Sequence, residues 1–109
     1  MPDLPTPPDA YLGFSERHQQ IAKAWEQVAV AGKDGPLDPN TIRMVKLGVA
    51  IGAMREGSVH ASVRKAMAMG ISRETLDQVV AIAAGTIGFS AAVAAFTWIE
   101  DVLEPKKGD

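Results

Sequence analysis

Cysteine is absent from all 109 residues. The chain therefore has no disulfide, no zinc-thiolate site and no thiol redox cycle. Histidine is nearly as scarce, with His18 and His60 the only two, so side-chain acid–base chemistry near neutral pH has few candidates. The formal charge of -2 lacks the basic excess that nucleic-acid binding usually needs, and no nucleic-acid partner is expected. No basic stretch followed by an apolar run opens the chain, which argues against secretion and for a cytoplasmic location. No segment alternates convincingly between apolar and polar residues, so the predicted class is all-α.

The hydrophobic fraction is 47%, typical of a globular protein. A monomer of this size buries only about 60–70% of its unfolded surface, so partner subunits would help to stabilise it. The uncharged stretch Val79 to Ile99 is interrupted by Gly85, Thr86, Gly88 and Ser90. It divides better into two helices meeting at a turn than into one membrane span of about 20 residues, and no membrane partner is expected.

Residues 1–14 contain prolines at 2, 5, 7 and 8 and read as an extended N-terminal arm. Residues 15–104 form the predicted single helical domain, and 105–109 a solvated tail. Within the domain about five helices are expected. Ser15 caps the first, which carries Ile21, Trp25, Val28 and Ala29 on one face and stops at Gly32. Asp38-Pro39 starts the second, with Ile42, Val45, Val49 and Ala53 on one stripe to about Met54. Gly57 and Ser58 mark a break, and a third helix runs from about Val59 to Met69, ending at Gly70. Ser72 caps the fourth, which fades at Gly85, and Ser90 opens the fifth, which stops before Pro105. The last two are apolar on more than one face, and alanine is abundant. Both features predict helices covered by a second subunit, with Phe96, Trp98 and Ile99 partly buried between copies.

Glu56 and His60 are the candidate catalytic pair. Their spacing places carboxylate and imidazole one turn apart on a common helix face, where the carboxylate can orient the ring for proton transfer. The structural alternative is a helix-start glutamate favoured by the dipole beside a packed histidine. Arg55, Ser58 and Ser62 surround the pair as candidate substrate-binding residues, Arg55 suited to an anionic group. Neither serine lies in a Gly-x-Ser-x-Gly elbow. Gly85 and Gly88 follow no strand and form no phosphate loop, so no cofactor is predicted. Two ligands close in sequence do not make a metal site, and no metal is predicted. Met44, Met54, Met67 and Met69 read as core or as a pliable lining for a small-molecule ligand.

The order Leu37-Asp38, Val45-Lys46-Leu47, Ile51-Gly52-Ala53, His60, Lys65-Ala66, Gly70-Ile71-Ser72, Glu74 and the Gly85-to-Gly88 turn resembles the carboxymuconolactone decarboxylase family, which includes the AhpD-like proteins. The likeness spans 37–103 and is most specific from Lys65 to Glu74. It implies an all-α fold with a helical hairpin core, assembly as a homo-oligomer (trimer or hexamer), and cofactor-free lyase or isomerase chemistry on a small carboxylate or lactone. The alternative is a non-catalytic binding or assembly protein on the same scaffold. The peroxidase branch of the family carries a Cys-x-x-Cys-x-x-x-His motif. Counting back from Gly70 places its histidine at Ser62, its cysteines at Ser58 and Arg55, and its relay glutamate at Arg43. All four are replaced, so thiol-dependent peroxidase activity is not expected.

Overall fold

The computed structural model describes residues 9–105. The prolines of the predicted arm and the tail from Lys106 onward lie outside the described residues. Six helices follow one another: α1 (Asp9–Arg17), α2 (Gln19–Lys33), α3 (Pro39–Gly52), α4 (Glu56–Ala68), α5 (Arg73–Ile87) and α6 (Phe89–Leu103). The all-α class stands, with one helix more than the sequence suggested. The first expected helix is two. It starts at Asp9 rather than Ser15, so 9–14 is helical instead of extended, and it is divided at His18, whose backbone leaves the helical region.

Helices α3 to α6 form the packed unit as two antiparallel hairpins. α3 packs on α4 and α5, and α6 packs on the same two helices. Leu47, Ile51, Val59, Val63, Leu76 and Ile99 are completely or almost completely buried between them. Ala66 and Ala95 are buried as well, and their small side chains let the backbones approach. α1 and α2 make their principal contacts with each other, and neither contributes a buried residue.

The turns follow from local chemistry. Asp38 precedes Pro39 at the start of α3, where proline costs no helical hydrogen bond. The Ser72 side chain accepts from the Thr75 N–H to cap α5. α4 ends in a Schellman motif: Ile71 N–H donates to the Ala66 carbonyl and Gly70 N–H to that of Met67, with Gly70 at φ +79°. α3 ends the same way, Arg55 N–H donating to Ala50 and Met54 N–H to Ile51, but the left-handed position is held by Met54 (φ 54°). The break between α3 and α4 therefore precedes Gly57 and Ser58, which lie inside the first turn of α4.

Candidate functional site around His60

Because α4 begins at Glu56, the carboxylate and the imidazole do share one helix. Glu56 Oε2 is 3.9 Å from His60 Nε2. A closer group arrives from α6: Asp101 Oδ2 is 3.5 Å from the same nitrogen. The histidine is mostly enclosed, its side chain 24% exposed, while both carboxylates remain more than half exposed. His60 Nε2 itself is shielded from solvent and makes no well-formed hydrogen bond. The ring thus lies between two carboxylates in the seam between α4 and α6. There it can hold or pass a proton to either oxygen after a small adjustment.

Asp101 is absent from the sequence-predicted set. It is distant from His60 along the chain, and on α6 it appears as one more acid near a helix end. The only signal in the sequence is its place on the helix that the apolar pattern packs against α4.

The three predicted substrate-binding residues fall elsewhere. Arg55 is the exposed residue preceding α4, and Ser58 is exposed in its first turn. Among the described residues neither has a side-chain hydrogen bond or ion pair. Ser62 is 6% exposed and faces α3, where its hydroxyl lies 3.4 Å from Arg43 Nη1. Two residues of helix are about 200° of rotation, so Ser62 and His60 serve opposite sides of α4. His18 is far from this chemistry in sequence, and its ring packs on Phe14 at 4.7 Å between centroids.

Glu56, His60 and Asp101 also present donor atoms within 4.8 Å of one another. These are the residues that could hold a divalent ion, although three donors are one short of a closed structural zinc site. The apolar concavities lie away from them. A groove of about 340 Å³ between α3 and α5 is lined by Met44, Val45, Gly48, Val79, Ile82 and Ala83. Met44 therefore does line an apolar space, whereas Met54, Met67 and Met69 are exposed.

Comparison with protein families matches the carboxymuconolactone decarboxylase family over residues 19–101. The chain belongs to this family. The match includes α2, which the sequence resemblance, beginning at Leu37, had left out. No curated protein and no solved structure matches the chain. Family membership makes the contact between Arg43 and Ser62 informative. These positions, aligned by counting from Gly70 with the relay glutamate and motif histidine of the peroxidase branch, are neighbours across α3 and α4.

Proposed function

We propose that this member of the carboxymuconolactone decarboxylase family is a cytoplasmic, cofactor-free acid–base protein acting on a small carboxylate or lactone. His60 transfers the proton, Asp101 orients the ring across the α4–α6 seam, and Glu56 supplies a second carboxylate. The observation that carries this reading is the position of His60 Nε2, 3.5 Å from Asp101 and 3.9 Å from Glu56. Two carboxylates at these distances from the ring nitrogen can accept its proton and hold its orientation for transfer. With no cysteine in the sequence, thiol-dependent peroxide reduction has no nucleophile.

The test is proton exchange from carboxylated γ-lactones in D2O followed by NMR. The full chain should catalyse exchange, His60→Gln should lose it by about 100-fold or more, and Asp101→Asn should lose more than Glu56→Gln. Activity should persist in a metal chelator. Absence of exchange above the uncatalysed rate across the lactones would overturn the reading.

One observation favours the second reading, a binding or assembly protein without catalysis. His60 Nε2 is shielded from solvent, and the α3–α5 groove is lined by other residues. In that case His60→Gln would leave every exchange rate unchanged and alter only stability.

A further inference from the structure

The seam on the opposite side of α4 is strongly and unevenly charged. Arg43 and Lys46 stand one turn apart on α3, and Ser62 and Lys65 one turn apart on the facing α4. Arg43 Nη1 reaches Ser62 Oγ at 3.4 Å, a long contact with a neutral hydroxyl. Its Nε is enclosed and has no acceptor. Among the described residues, no carboxylate lies within ion-pair distance of Arg43, Lys46 or Lys65. Every ion pair formed by an arginine in the described residues belongs to Arg73, which takes both Asp77 and Glu100.

Electrostatics agrees with this geometry. Burial pushes the Arg43 guanidinium below its ordinary value, with no opposing contribution from a nearby acid. Burial also pushes Lys46 down, followed by repulsion from Arg43, Lys65 and Lys33. One enclosed arginine and a buried hydroxyl thus share a seam flanked by two exposed lysines, in a chain whose formal charge is -2. A partly buried guanidinium without an anion forgoes the charge-assisted bonds that would offset its desolvation.

We propose that the α3–α4 seam is a binding site for a small anion, carboxylate or phosphate, held by Arg43 with Ser62, Lys46 and Lys65. The planar guanidinium supplies directional donors to two oxygens, the Ser62 hydroxyl donates a further bond, and the two lysines act as point charges at the rim. This site is separate from the His60 cluster and does not depend on the acid–base reading.

The experiment is an NMR titration of the full chain with inorganic phosphate and, in a separate series, with succinate. Saturable shifts at the amides around Arg43 and Ser62 are expected, with a Kd of about 1 mM or tighter for at least one probe. Which of the two saturates identifies the anion class. Arg43→Gln should weaken binding by about tenfold or more, and Arg43→Lys should recover only part of it. Ser62→Ala should weaken it by a smaller factor. Arg43→Met provides a control for folding. It should unfold at no lower temperature than the parent without anion, and should lose the rise in unfolding temperature that the anion gives the parent. Non-saturating shifts with both probes, or saturation equally strong in Arg43→Gln, would overturn the proposal.

Discussion

Asp38 shows how a single side chain writes itself into stability. The Thr41 hydroxyl donates to its Oδ1 one turn into α3, and this bond is the leading cause that holds the carboxyl below its ordinary value of 3.8. A carboxyl with a lower pKa in the folded state adds stability above its unfolded value. That contribution disappears as pH falls through the folded value. Asp38→Asn keeps the shape and an oxygen that can accept from the Thr41 hydroxyl, so it isolates the charge. The variant should unfold at a lower temperature than the parent near neutral pH, and the gap should close in thermal scans taken below pH 3.8. Ser72 makes a simpler case, its hydroxyl accepting from the Thr75 N–H at 3.2 Å. Ser72→Ala should cost about 1 kcal/mol in chemical denaturation. Both helix starts were legible in the sequence because each is decided within four residues, although only Ser72 closes a side-chain cap bond to the backbone.

Helix boundaries were legible where glycine or proline punctuates the chain and obscure where it does not. Gly70 closes α4 as its sequence position predicts. Met54 closes α3 with the same hydrogen-bond pattern, yet a methionine carries no left-handed signal, so Gly57 and Ser58 attracted the prediction instead. A side chain in that region costs about 1–2 kcal/mol. Met54 is largely exposed, so Met54→Gly loses little packing and should raise stability by about 1 kcal/mol in urea unfolding. The interruption at His18 likewise has neither proline nor glycine to announce it. Apolar stripes located the core only in part: Ile21, Trp25 and Val28 on α2 and Val45 and Val49 on α3 are exposed, and α3 buries Leu47, Ala50 and Ile51 on another face instead. Leu76, completely buried on α5, should cost about 2–5 kcal/mol as Leu76→Ala.

Among the described residues, apolar side chains remain uncovered on several faces, Phe89, Val93 and Phe96 on α6 among them. Tyr11, Phe14, Ile21, Trp25 and Val28 are exposed on α1 and α2, and Val45, Val49 and Ile82 on α3 and α5. Among the described residues no helix is long and apolar enough to cross a membrane. We propose that further copies of the chain cover these faces in a trimer or hexamer. Light scattering at micromolar concentration should give a multiple of 11.5 kDa, and Trp25→Glu should lower the mass. The expected interface residues need revision: Ile99 is 1% exposed and belongs to the core, and Trp98 packs partly against it, leaving Phe96 exposed. The sequence by itself determined the all-α class, the helix start at Asp38-Pro39, the cap at Ser72, the stop at Gly70, the lack of any thiol and the one-turn spacing of Glu56 and His60. Each depends on residue type or on spacing within one helix turn. Only the tertiary structure decided that Asp101 meets His60 and that Arg43 meets Ser62. Helical periodicity assigns each side chain to a face, but the packing of α4 between α3 and α6 selects which groups meet across those faces.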